Sequence, residues 1–148
     1  MALPLDANSV THGIQLAIAP VFLLTAVSGM IGAVAGRLAR IIDRARTLED
    51  RARASTDDEF LQRAYAELGD LRKRGRLANG CIALLTTCAI MIGLTIVVLF
   101  VGETTAYQIN RFAVGCFLAG VICFLLALLF FLAETLMATR LLDFHMLR

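Results

Sequence analysis

The chain has no tryptophan, two prolines and two histidines, and only 18% of its 148 residues are charged. His12 and His145 stand at opposite ends. The four cysteines, Cys81, Cys88, Cys116 and Cys123, form two pairs spaced by seven, with neither a CxxC nor a neighbouring histidine. That pattern writes no zinc or redox motif, and the cysteines read as small apolar packing residues. Nucleophile motifs and phosphate-binding loops are absent too, and the acidic stretch at Asp57 to Glu59 lacks the alternating ligands of a calcium loop. The expectation is a protein that is not an enzyme and carries no metal or cofactor. An excess of one charge is also missing: 14 basic and 12 acidic side chains leave a net charge of +2, so any electrostatic effect must be local.

What the chain does have is apolar length. Hydrophobic residues make up 59% of it, and its mean hydropathy is +0.77. A hydrocarbon core of about 30 Å takes roughly 20 apolar residues in a helix, and three uncharged runs reach that length, at residues 13–36, 79–102 and 112–133. The first is not written as a cleaved signal, because no Lys or Arg precedes it and a dense arginine run follows it. The fold class expected is therefore all-α, a single membrane domain over residues 1–148 with three transmembrane helices.

Between the first two spans, residues 37–76 hold eleven of the fourteen basic side chains. By the positive-inside rule this segment is cytoplasmic, as is the C-terminus, with the N-terminus outside. Arg111 alone falls on the opposite side. The expected home is the bacterial inner membrane, with the lipid bilayer as surroundings.

The cytoplasmic segment is patterned as helix. Leu38, Ile41, Ile42, Ala45, Leu48 and Ala52 recur at intervals of three and four, and no helix breaker separates them from the first span. Phe60, Leu61, Ala64, Tyr65, Leu68 and Leu71 repeat the pattern on the way into the second span. Between them, the stretch ASTDDE is a turn, in which Ser55 or Thr56 caps the next helix and Thr56 with Glu59 spells a capping box. The sequence thus predicts an antiparallel, coiled-coil-like hairpin over residues 37–78 that extends the first two membrane helices. Gly69 and Gly75 mark a bend or a close approach in its second arm.

In the third span Cys116, Gly120, Cys123 and Ala127 form a small-residue stripe of the kind that lets membrane helices approach, and its Phe- and Leu-rich opposite face suits lipid. Gly29, Ala33 and Gly36 invite the same reading in the first span. Glu134 lies just past the third run, where an ionisable group needs a partner, and Arg37, Arg76 and Arg140 are its candidates for an ion pair.

The arginine run does not read as a nucleic-acid site. Over residues 37–76 eleven basic residues are interleaved with eight acidic ones, whereas an electrostatic footprint wants clustered, unopposed charge, preferably with stacking aromatics. Most of these charges set topology or pair along the helix, as Arg40 with Asp43 and Arg46 with Asp50. Arg37, Arg40 and Arg44 differ, since they share a face immediately beside the membrane. In a monomer they meet anionic headgroups; in a symmetric oligomer with the first helix innermost they ring an axis.

The first span is the most polar of the three and the place where a pore is expected. Thr11, Ile18, Thr25 and Gly32 fall on one seven-residue stripe, and Gln15, Phe22, Gly29 and Gly36 fall on its neighbour. Polar and small groups alternating with Phe22 and Ile18 suit a narrow conduit with apolar constrictions, with ions as partners and Arg37, Arg40 and Arg44 at an anion-favouring cytoplasmic mouth. The competing reading has Pro20 merely interrupting the helix and the hydroxyls bonding their own backbone carbonyls. Two functions stay open: a homo-oligomeric ion pore, or a non-conducting scaffold or regulatory subunit whose hairpin binds a partner.

The stretch IQLAIAPVFLLTAVSGMIGAVAGRLARIIDRARTLE, above all AP-x-F-L-L followed by GRLARI-x-DRAR, resembles the leading segment of a family of small bacterial three-span membrane proteins known only as a domain of unknown function. The resemblance extends over nearly all of the chain and implies no activity and no catalytic residue.

Overall fold

The computed structural model describes the backbone of residues 7–104 and 110–143, and the side chains of residues 15, 18–101 and 111–138. Within these it contains three helices: α1 (Ala7–Ala54), α2 (Asp58–Thr104) and α3 (Asn110–Asp143). All three are long and apolar enough to cross a membrane. At 1.5 Å per residue the 48 residues of α1 extend roughly 70 Å, about twice a bilayer's apolar thickness, so a large part of α1 lies outside the hydrocarbon. The 47-residue α2 has the same surplus.

The turn joining α1 to α2 is built from three local hydrogen bonds. The Asp57 carbonyl accepts the first helical bond of α2 from the Leu61 N–H at 2.9 Å, and Asp57 Oδ1 accepts from the Glu59 N–H at 3.0 Å. Asp57 is therefore the N-cap, in place of the Thr56 capping box that the spacing predicts. Ser55 Oγ accepts from the Asp57 N–H at 3.2 Å and tightens the entry. Asp58 and Glu59 then occupy the first turn, where the helix dipole favours negative charge.

Burial follows a step of seven on every helix. Among the described residues, buried positions run through 20, 27, 34, 41 and 48 on α1, with 52 beside them, through 64, 71, 78, 85 and 92 and a second row at 81, 88 and 95 on α2, and through 113, 120, 127 and 134 on α3. A seven-residue period is that of knobs-into-holes packing.

The chain divides into two compact units, each drawing on all three helices. In the first, Met1–Met30 with Leu84–Leu125, α2 buries Leu85, Cys88, Ile92 and Thr95. The Thr95 hydroxyl donates to the Met91 carbonyl at 2.8 Å, which satisfies it without another helix. α3 contributes Ala113 and Gly120. A Cβ on Gly120 would lie 3.1 Å from Ile92 Cγ1 and 3.6 Å from the Cys88 carbonyl, so this glycine admits a close approach to α2. The small-residue face of α3 is thus its packing face here. Phe112, Val114, Leu118 and Ile122 are exposed on the remainder.

In the second unit, Ile31–Ala83 with Leu126–Arg148, Ile41, Leu48 and Ala52 of α1 pack with Ala64 and Leu71 of α2, flanked by Ala45, Phe60, Leu61 and Leu68. This is the hairpin core. Ile42 and Tyr65, which the sequence pattern assigns to the same stripe, are exposed, because a two-helix seam admits about two positions per heptad rather than the wider face of a globular helix. Nearer the apolar runs, Cys81 Sγ donates to the Ala127 carbonyl at 3.2 Å. A Cβ on Gly80 would come within 3.1 Å of the Phe130 ring. Gly75 faces Ile41 and Leu38 at ordinary contact distance, whereas Gly69 faces open space.

The small residues of α1 behave differently. Gly29, Ala33 and Gly36 are exposed, and a Cβ on either glycine would meet nothing within 4 Å. The face that α1 packs is the one through Pro20, Val27 and Val34.

These two environments give opposite expectations for glycine replacement, read as thermal unfolding in detergent. Gly120→Val should cost about 1–3 kcal/mol through overpacking. Gly29→Ala should leave stability unchanged or raise it by up to about 1 kcal/mol through helix propensity. Equal losses at the two positions would contradict this packing.

Candidate functional site

The seven-residue step that buries Ala113, Gly120 and Ala127 brings a fourth residue of α3 inward, and that residue is a carboxylate. Glu134 is 2% exposed. An ionised carboxylate in such a place requires opposite charge and hydrogen bonds on both oxygens. Both are supplied: Arg37 Nη1 of α1 donates to Oε2 at 2.7 Å, and Arg74 of α2 donates to Oε1 through Nη2 at 2.9 Å and Nε at 3.2 Å. One side chain thereby ties together all three helices of the second unit.

Arg37 is held further. Its Nη1 also donates to Thr135 Oγ1 at 2.7 Å, and its guanidinium carbon sits 5.0 Å from the centroid of the Phe131 ring, a cation–π arrangement. The Thr135 hydroxyl in turn donates to the Phe131 carbonyl at 2.9 Å. The arginines are only partly enclosed: their side chains are 32% (Arg37) and 22% (Arg74) exposed, against 3% for Glu134. Arg37 directly follows the first apolar run, Glu134 directly follows the third, and Arg74 shortly precedes the second, so the cluster lies where the apolar runs of all three helices end.

Beside it lies an open depression of about 310 Å³, lined by Arg37, Arg40, Ile41, Arg44, Leu71, Arg74 and Glu134. Arg44 reaches Glu67 of α2, with Nε at 3.0 Å and Nη2 at 2.8 Å from Oε1. Both side chains of that pair are well exposed, which limits its worth to about 0–1 kcal/mol. Arg40 is exposed and has no ion pair among the described residues. A second hollow, about 390 Å³, lies on the hairpin against Glu49, Ala52, Arg53, Tyr65, Leu68, Gly69 and Arg72.

Of the three partners that the sequence offers Glu134, the structure uses Arg37. Arg76 is exposed, and the Arg140 side chain lies outside the described residues. Arg74 went unnoticed, although the spacing contains it: counting back by seven from the buried Thr95, Cys88 and Cys81 lands on Arg74, while Arg76 falls on the outer side. The expected helical pairs Arg40–Asp43 and Arg46–Asp50 are not formed among the described residues. The local pairs are Arg63 with Glu59 and Lys73 with Asp70.

On the first helix, Gln15, Ile18, Phe22, Thr25, Gly29 and Gly32 are all exposed, and the Thr11 side chain lies outside the described residues. Thr25 Oγ1 donates to the Val21 carbonyl at 3.2 Å, so this hydroxyl is engaged with its own backbone.

The geometry makes Glu134 a structural counter-ion. Glu134→Ala, read by thermal unfolding in detergent, should cost about 2–3 kcal/mol, toward the low end for a broken buried pair because both arginines keep contact with water. An unchanged melting temperature would contradict that role.

Comparison with curated proteins and with solved structures finds no match. The sequence profile of DUF2721, described as a protein of unknown function, matches residues 17–144, which include α1 from its third turn and all of α2 and α3. The chain, with its three long apolar helices, belongs to the DUF2721 family.

Proposed function

We propose that this protein assembles into a homo-oligomer through the exposed face of α1, and that the assembly forms an ion-conducting pore in the bacterial inner membrane. The observation that supports it is the chemistry of the exposed faces. On α2 and α3 they are dominated by Ile90, Leu94, Val97, Phe100, Leu118, Leu125 and Leu129, which suit lipid, with Thr86 and Thr87 also exposed. On α1 they carry Gln15, Thr25, Ser28, Gly29, Gly32, Ala33 and Gly36, with Ile18, Val21 and Phe22 among them. Small and polar groups gain little from lipid and much from a second helix. In a closed ring, Gln15, Thr25 and the glycines would alternate with Ile18 and Phe22 along the conduit, and Thr11 would extend it.

The eleven basic residues between positions 37 and 76 support a cytoplasmic hairpin and C-terminus, with the N-terminus outside. Of the mouth arginines, Arg44 is paired with Glu67 and Arg37 shares the single charge of Glu134 with Arg74, so any preference for anions rests on the unpaired Arg40 and on the one charge left over in that cluster. The protein is read as non-enzymatic on the sequence's lack of a nucleophile motif or phosphate loop.

A second reading, a non-conducting scaffold or regulatory subunit, draws on the hairpin hollow, where the Tyr65 ring is 68% exposed between arginine and glutamate side chains. An exposed aromatic with a polar rim is the anatomy of a docking anchor.

Two measurements separate the readings. In nanodiscs the protein should sediment as a closed ring, and Gly29→Leu with Gly32→Leu should dissociate it; a monomer in both detergent and nanodiscs contradicts assembly. In planar bilayers the wild type should pass current, and Arg40→Glu should move the reversal potential in a KCl gradient toward cation preference. Silent bilayers from a preparation shown to be oligomeric would leave the scaffold reading in its place.

A further inference from the structure

The arginine-lined depression of the second unit combines the mouth arginines of the pore reading with Arg74 and Glu134, which that reading does not use. Four guanidinium groups, Arg37, Arg40, Arg44 and Arg74, surround it. The two carboxylates held by them, Glu134 and Glu67, leave an excess of two positive charges. The space, about 310 Å³, is at the lower end of small-molecule sites, roughly 300–1,000 Å³.

The geometry points to a binding site for a phosphate group, with Arg37 and Arg74 as a fixed cradle and Arg40 and Arg44 closing over it. Three observations converge on that ligand. First, the cradle is preorganised: the buried Glu134 takes one guanidinium on each oxygen, and Arg37 is also fixed by Thr135 and Phe131. Fixing an arginine in advance lowers the ordering cost of the contact it makes next. Second, donors remain. Arg37 spends only Nη1 and Arg74 spends Nη2 and Nε, which leaves Nη2 of the first and Nη1 of the second for an incoming anion. A planar fork of N–H groups matches phosphate oxygens, and Arg40 brings a complete, unpaired one. Third, the position is right. The cluster stands where all three apolar runs end, the depth of phospholipid headgroups, and Ile41 and Leu71 give the depression an apolar wall.

A phosphate group reaches such a site either as part of an anionic lipid or as free phosphate. The site needs neither assembly nor conduction, so it stands or falls apart from the pore.

The test uses the full chain in neutral detergent at fixed ionic strength, with bound ligand counted by native mass spectrometry. Separate arms contain phosphatidylglycerol, phosphatidylcholine and inorganic phosphate. The probes are Arg40→Gln and Arg44→Gln, both at exposed side chains, with Arg46→Gln on another face of α1 as reference. Phosphatidylglycerol retained at least tenfold more strongly than phosphatidylcholine, and reduced at least fivefold by Arg40→Gln or Arg44→Gln but not by Arg46→Gln, supports the site with lipid as its source. The same dependence for inorganic phosphate, without lipid selectivity, supports it with free phosphate as the source. Retention that ignores Arg40 and Arg44, or falls equally with Arg46→Gln, overturns it.

Discussion

A buried carboxylate at the end of an apolar run cannot remain both charged and alone. Glu134 is carried inward by the same step of seven that buries the small residues of α3, and its solvation has to be replaced by protein. The replacement comes from two helices at once, Arg37 from α1 and Arg74 from α2. A single buried charge therefore fixes the register of three helices in the second unit, because a slip of one residue on any of them would carry a guanidinium about 100° around its helix and out of reach. Apolar contacts such as Ile41 against Leu71 tolerate small slips; a three-way ion cluster does not.

Much of this organisation is legible in the sequence, because length and periodicity are properties of consecutive residues. The three apolar runs, the two helical arms and the turn near Ser55 follow from spacing alone; the helices of the structure contain the runs and the arms, and the turn falls between α1 and α2. The small-residue stripe through Gly120 and Ala127 also names the face that packs. What spacing left open was decided by competition between near-equivalent groups. Thr56 and Asp57 are both good caps, and the backbone places Asp57 at the position whose oxygen reaches Glu59 N–H. Glu134 had several arginines within plausible reach, and the choice of Arg74 over Arg76 depends on which side of α2 faces inward. That side is set by the whole heptad from Ala64 to Thr95 rather than by local charge. The stripe of Gly29, Ala33 and Gly36 has the same composition as a packing face yet stays open, since Val27 and Val34 already supply the contact of α1.

The charge pattern acquires a division of labour. Arg37 and Arg74 neutralise a buried carboxylate, Arg44 crosses the hairpin to Glu67, and Arg40 alone on that face has no ion pair among the described residues. The exposed polarity of α1 and the basic depression are thus separate resources, one built from glycines and hydroxyls and the other from guanidinium groups. The arginines of this chain are more than topology signals, since Glu134 holds two of them.

The most direct test of the central claim is a double-mutant cycle between Glu134 and Arg74, with Glu134→Ala, Arg74→Ala and the double variant compared by unfolding in detergent. A three-helix counter-ion cluster predicts strong coupling, with the double variant losing about 1–3 kcal/mol less than the sum of the single losses. Single losses that add to within about 0.5 kcal/mol would show that the two side chains act independently, and would contradict the account.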